Sequence, residues 1–341
     1  MNTEHVDIGV ARYSDWAFTS SVVVLVAALL LLAVELAYSR GRRVESRELV
    51  GAAAAATLGR AAAASGTSAT VGADSVTPGV VADAPKRPLD ERVGKAGLAL
   101  VYVGMGLLLV CIVLRGLATA RVPWGNMYEF INLTCFSGLV AGAIVLRKPQ
   151  YRALWVFVLV PVLILLTVSG RWLYTNAAPV MPALQSYWLP IHVSVVSLGS
   201  GVFLVAGVAS ILFLLKMSPL GQPGPESAAR RIVQRLPDAQ TLDRIAYRTT
   251  IFAFPVFGFG VIFGAIWAEE AWGRYWGWDP KETVSFIAWV VYAAYLHARS
   301  TAGWRGRRAA WISVVGFASI LFNLFFVNMV VSGLHSYAGL N

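Results

Sequence analysis

VSVVSLGSGVFLVAGVASILFLL, residues 193–215, runs for twenty-three positions without one charged side chain. As a helix rising about 1.5 Å per residue it reaches roughly 34 Å, enough to cross a hydrocarbon layer about 30 Å thick. Backbone N–H and C=O groups find no water in lipid, so a crossing segment satisfies them internally, as a helix. Residues 21–38, 96–114 and 155–169 come close to or pass the same threshold. With 57% hydrophobic and only 13% charged residues, the chain holds more apolar surface than soluble cores absorb. These readings predict an all-α polytopic membrane protein.

Apolar runs and their breakers place about eight transmembrane helices, near 18–38, 96–118, 128–146, 153–170, 191–215, 247–268, 283–299 and 309–332. An even number of crossings puts both termini on one side. The segments 39–95, 147–152, 216–248 and 299–308 hold 22 of the 28 Lys and Arg residues. The positive-inside rule makes that set cytoplasmic, so both termini and the loops at 170–190 and 269–282 face outward. The net charge of +10 is spread over these short loops and not gathered on one face, which argues against a nucleic-acid partner.

Three regions follow: a first helix within 1–40, a cytoplasmic linker over 41–95, and a seven-helix domain over 96–341. The linker's core, 51–88, is rich in Ala, Gly, Ser and Thr and lacks an apolar stripe. RRIVQRLPDAQTLDRIAYR, residues 230–248, has amphipathic spacing broken by Pro237 and suits the inner membrane surface. The two cysteines, Cys111 and Cys135, lie inside apolar runs without CxxC spacing, so they read as small buried hydrophobes. Glu4, Asp7 and Asp15 precede the first apolar run where a cleaved signal peptide has basic residues, so the first helix is expected to stay.

The loop WAEEAWGRYWGWDPKE, residues 267–282, gathers Trp267, Trp272, Trp276 and Trp278 with Tyr275. An interfacial belt of Trp and Tyr is the plain alternative, but a belt does not need four indoles in twelve residues. Asp279 before Pro280 reads as an N-cap with proline at the first helical position, starting a helix at about 280. Such an aromatic surface suits a large flat conjugated ligand, and heme is the candidate. Its iron needs axial ligands, and the chain has four histidines. His192, after SYWLPI, and His335, in VSGLHSYAGLN, fall at the same membrane face as the loop and are placed to ligate one iron from opposite sides. Singly, each also reads as an interfacial histidine. His297 lies about 21 Å below the outer end of its helix, where an ionisable group marks a functional site or snorkels beside Arg299. His5 sits in a polar tail without aromatic company. Arg171, Arg274 and Lys281 are the outward cations available to the two propionates of heme, or to lipid headgroups.

EAWGRYWGWDPKE (270–282), followed by a helix ending in AYLHAR (294–299), resembles the tryptophan-rich heme-handling signature of cytochrome c biogenesis proteins. PWGNMYEF (123–130), PALQSYWLPIHVS (182–194) and SGLHSYAG (332–339) resemble the CcsA/ResC type of the system II pathway, labelled CcsB in other lineages. The resemblance runs from about residue 100 to the end. It implies that His192 and His335 ligate a presented heme b and that His297 matches a transmembrane histidine binding heme in transit. The histidine opposite His297 belongs, in that family, to a ResB-type partner. The reaction implied joins reduced heme to a CxxCH apocytochrome c through thioethers, making the chain a subunit of a heme lyase, with thiol-reducing proteins involved indirectly. Three rivals stand beside it: a system I heme-handling protein, a heme exporter without a ligation role, and a di-heme cytochrome b subunit. Eight helices and 341 residues favour system II over the first, and a single deep histidine disfavours the last.

Overall fold

The computed structural model describes residues 6–38, 89–180, 182–331 and 333–335. The expected linker lies outside the described residues except for 89–95, which are already helical. In chain order the helices are α1 (Ile8–Tyr38), α2 (Leu89–Thr119), α3 (Met127–Val145), α4 (Trp155–Trp172), α5 (Trp188–Met217), α6 (Ala228–Arg235), α7 (Ala239–Trp272), α8 (Pro280–Ser300) and α9 (Arg307–Phe322). A π turn, Asn323–Val327, continues α9. Among the described residues there is no strand. Several helices outrun their apolar cores, because hydropathy marks only the part in lipid; α7 starts at 239 where its apolar run starts at 247.

Seven helices of the described residues are long and apolar enough to cross a membrane, one fewer than expected from the sequence. The eighth, α8, has 21 residues, about 31 Å of rise. Tyr292, Tyr295, His297 and Arg299 dilute its hydropathy. Its tyrosines turn inward: both are buried, and the Tyr292 ring stacks on Phe203 of α5 at 3.7 Å.

Small residues set the helix spacing. Gly97 and Gly104 of α2 leave room for Leu32 and Leu25 of α1, whose side chains a Cβ would meet at 2.9 and 2.6 Å. α5 is the most enclosed of the seven. A Cβ at its Gly201 would strike the backbone of Gly138 in α3, and one at Gly207 would strike Phe317 of α9. Without a hydrophobic driving force in lipid, close backbone approach of this kind supplies the packing energy. α5 therefore runs down the middle, and α3, α7 and α9 pack around it.

At one end of the bundle Arg115, Arg121 and Glu129 form a buried ion cluster. Arg115 Nε donates to Glu129 Oε1 at 3.1 Å and Arg121 Nη1 to Oε2 at 3.0 Å. Arg121 also donates to the Ala178 carbonyl at 2.9 Å, which ties the α2–α3 turn to the segment before α5. At the opposite end Lys216 donates to the carbonyls of Val233, Gln234 and Leu236, anchoring the short helix α6, and Arg299 of α8 meets Asp243 of α7 at 2.8 Å. Of the amphipathic segment expected along the membrane surface, only the part before Pro237 forms a separate short helix, pinned to the bundle's basic end; from Ala239 the chain is already α7.

Candidate functional site

α7 stops where Gly273 takes a left-handed conformation, φ 69°, and its N–H donates to Glu269 O at 2.7 Å. Glycine has no Cβ to oppose that geometry. Trp278 is also left-handed, φ 55°, a conformation that strains a bulky residue. Between these two reversals the chain folds back over the mouth of the bundle. Asp279 then caps α8 with Pro280 at the first helical position, as the sequence predicts, and Glu282 closes a capping box. Glu282 Oε2 accepts from Gly277 N at 2.9 Å and Asp279 N at 3.1 Å, so one carboxylate holds the loop shut against the helix it starts.

Trp267, 2% exposed, forms the wall behind this loop. The His192 ring lies nearly parallel to it, centroids 5.9 Å apart at 13°, and the His335 ring meets it edge-on at 5.9 Å. Trp272 touches both Trp267, at 4.8 Å, and His335, at 5.4 Å. Two imidazoles from α5 and from the segment after α9, 143 residues apart in sequence, thus share one indole. His192 Nδ1 lies 2.8 Å from the Gly260 carbonyl oxygen. His335 Nδ1 lies 2.9 Å from Asp279 Oδ2, whose Oδ1 accepts from Leu334 N at 2.8 Å.

Carbonyl and carboxylate oxygens only accept, so in each ring Nδ1 carries the proton and Nε2 carries the lone pair. Burial by itself would raise the Asp279 carboxyl, but the bonds from His335 and Leu334 outweigh it and hold the group below the usual carboxylate range. Burial lowers the His335 imidazole despite the neighbouring carboxylate. Both effects favour a neutral ring donating to an ionised Asp279.

A cavity reaches from Trp124 and Trp276 at the mouth, past both histidines, to Ser200 and Phe317 deep between the helices. Lys281 lines it, with Nζ donating to Asn328 Oδ1 at 2.5 Å. Trp124 Nε1, Thr134 Oγ1 and Trp267 Nε1, on residues lining the cavity, are buried without a hydrogen-bond partner among the described residues. Buried donors of this kind call for an acceptor that a ligand brings. Among the described residues no three or more His, Cys, Asp or Glu gather around a bare metal ion. The site offers two imidazole nitrogens, the number an iron needs when a macrocycle fills its equatorial positions.

Of the residues singled out from the sequence, Trp267, Trp272, Trp276, Lys281, His192 and His335 line one cavity, and Asp279 stands directly behind His335. Trp278 is 68% exposed and meets Trp276 edge-on at 5.8 Å, outside the lining. Arg171 is exposed in the last turn of α4, and Arg274 is exposed with its guanidinium packed on Gly277. His297 lies exposed near the far end of α8, about 26 Å along the helix from Pro280.

Four contributors escape a reading of the sequence. Trp124 belongs to PWGNMYEF, a stretch recognisable only as a segment. The Gly260 carbonyl has no side-chain signal at all. Gly264 leaves room for the His192 ring, which a Cβ would meet at 2.7 Å. Asn328 follows the π turn and donates to Asn323 O and Leu324 O, satisfying carbonyls that the widened turn releases.

Residues 124–335 match the family described as cytochrome C assembly protein, a span that opens on Trp124 and closes on His335. Curated relatives named cytochrome c biogenesis protein CcsA match most of the chain. The one from Gloeobacter violaceus is 33% identical over 74% of this chain and 88% of its own length. That from Guillardia theta is 36% identical over 70% and 87%, and that from Thermosynechococcus vestitus 35% over 74% and 89%. A multi-pass helical bundle whose matched span begins and ends on the cavity therefore belongs to the cytochrome c assembly family, as a CcsA-type protein with a role in cytochrome c maturation.

Proposed function

We propose that this protein holds heme between His192 and His335 at the tryptophan end of the bundle and presents it to CxxCH apocytochromes c for thioether attachment. One observation carries the reading: both imidazoles abut Trp267 with Nδ1 bonded to an acceptor, which turns each Nε2 lone pair toward service as an iron ligand. Trp267, Trp272 and Trp276 supply apolar edges for the porphyrin and keep water from the iron. Lys281 and the unpaired indole N–H groups meet the propionates. Arg171 and Arg274, outside the cavity, serve the surrounding interface.

The chain contributes no nucleophile. Cys111 and Cys135 are free and buried within helices. Each apocytochrome cysteine adds S–H across one heme vinyl: sulfur bonds to one carbon of the double bond, the proton ends on the other, and no net electron transfer occurs. The protein's share is to fix the vinyls where the thiols arrive, so catalysis is chiefly positioning, as in a subunit of a holocytochrome c synthase. Thiol-reducing proteins keep the substrate cysteines available. His297, exposed on α8, binds heme in transit together with a histidine of a ResB-type partner. The concentration of basic residues at the opposite end supports an orientation with the tryptophan end and both termini outside the plasma membrane.

The absorption spectrum of the purified protein, with and without a ResB-type partner, tests this. A six-coordinate bis-imidazole heme lost in His192→Ala and in His335→Ala, with altered loading in His297→Ala, supports it. Heme bound unchanged in all three variants refutes the ligand assignment. Transfer of heme to a CxxCH peptide separates a synthase from an exporter.

A further inference from the structure

The two imidazoles are not held alike. His335 donates from Nδ1 to a carboxylate, Asp279 Oδ2 at 2.9 Å, whereas His192 donates to a neutral peptide carbonyl, Gly260 O at 2.8 Å. A carboxylate behind an imidazole pulls the Nδ1 proton toward itself and raises the electron density at Nε2, making a stronger iron donor. A carbonyl does this far less.

Their neighbours differ too. Both rings abut Trp267 at 5.9 Å, but His192 packs against Gly260 and Gly264 of α7, between the helices. His335 sits beside Trp272 and Asp279.

Resting on the bis-histidine reading above, we infer that His192 is the exchangeable ligand and His335 the retained one, with Asp279 as the positioning residue that creates the difference. When a substrate histidine coordinates, it takes the iron face that His192 leaves. The iron–His192 bond breaks and the iron–substrate bond forms, with no change in iron oxidation state. Heme then remains on His335, the carboxylate-backed ligand beside Trp272 and Asp279, and the final break from His335 releases the product.

Asp279 also caps α8, so its test is Asp279→Asn, since Asn caps helices as well as Asp. The heme-loaded wild type, the Asp279→Asn variant and the His192→Gly and His335→Gly variants are reduced with dithionite and exposed to carbon monoxide. Resonance Raman spectra are taken of the CO adducts and of their photolysed five-coordinate products. The wild-type photoproduct is expected to show the iron–imidazole stretch of His192→Gly, at the high frequency of a carboxylate-backed histidine. Asp279→Asn lowers that frequency, raises the reduction potential and weakens heme retention about 10- to 100-fold.

A wild-type photoproduct that instead matches His335→Gly, or a stretch unmoved by Asp279→Asn, overturns the assignment while leaving bis-histidine binding intact. A wild-type protein with no bis-imidazole spectrum before CO is added overturns both readings. Should Asp279→Asn fail to fold, by circular dichroism in detergent, the comparison of the two His→Gly variants with wild type decides alone.

Discussion

Gly264→Ala is the sharpest probe of how the cavity is built, because it adds one methyl group and removes no polar group of the site. The new Cβ falls 2.7 Å from His192 Cε1 and 2.8 Å from Nδ1. The ring has little room to yield. Its Nδ1 is held 2.8 Å from Gly260 O, and its face lies parallel to Trp267. Overpacking a filled site costs about 1–3 kcal/mol. If the ring turns away to avoid the clash, that cost appears as lost ligand geometry, and at roughly 1.4 kcal/mol per tenfold it weakens heme binding about 10- to 100-fold.

Heme titration of purified protein in detergent, followed in the Soret band, measures the change. Gly106→Ala is the control, since nothing lies within 4 Å of a Cβ there and the substitution carries the same helix-propensity gain. Heme affinity in Gly264→Ala equal to that of Gly106→Ala refutes the claim that Gly264 seats the His192 ring.

Glu129→Gln leaves Arg115 and Arg121 facing a neutral partner in a site where Arg115 and Glu129 are 1% and 3% exposed; the expected loss is about 3–5 kcal/mol in chemical unfolding. Arg171→Ala, by contrast, changes neither unfolding nor heme binding measurably, because the side chain is exposed and outside the cavity. Trp278→Asn relieves the left-handed strain at φ 55° and, since the indole is 68% exposed, leaves the thermal midpoint at or above that of wild type. Asp279 and His335 both titrate below their ordinary values in the folded protein, so between the folded and unfolded values the unfolded chain binds more protons. Stability of the ligand-free protein therefore falls as pH drops below about 6.5, as His335 is called on to charge, and again through the carboxylate range. His335→Gln is expected to shrink the first phase of a pH series of thermal midpoints; a phase of unchanged size would assign it elsewhere.

The legible part of the site was the part written in unusual residues close together. Four indoles in twelve positions, an Asp-Pro helix start and a chain with few histidines pointed to Trp267, Trp272, Trp276, Asp279, His192 and His335 before any coordinates. Charge was a poorer guide. Arg171, Arg274 and Lys281 looked equivalent as cations in outward loops, yet only Lys281 enters the cavity. Loop membership gives a residue's side of the membrane but not the direction of its side chain. The helix count shows the same limit from the other side. α8 falls short of the apolar threshold because Tyr292, Tyr295, His297 and Arg299 lower its mean hydropathy, although both tyrosines are buried; hydropathy cannot tell a polar group facing lipid from one facing protein.

Sequence alone determined that the chain crosses a membrane many times and carries an aromatic loop between α7 and α8. Those properties depend on the length and composition of contiguous segments, and contiguity is what a sequence records. Tertiary structure decided that His192 and His335 meet at one indole, that a carboxylate backs one and a carbonyl the other, and that Gly264 makes room between α5 and α7. Each of those is a contact between residues far apart in the chain. Such contacts arise only when helices pack closely enough for a missing Cβ, or the direction of one carbonyl, to determine where a ring can sit.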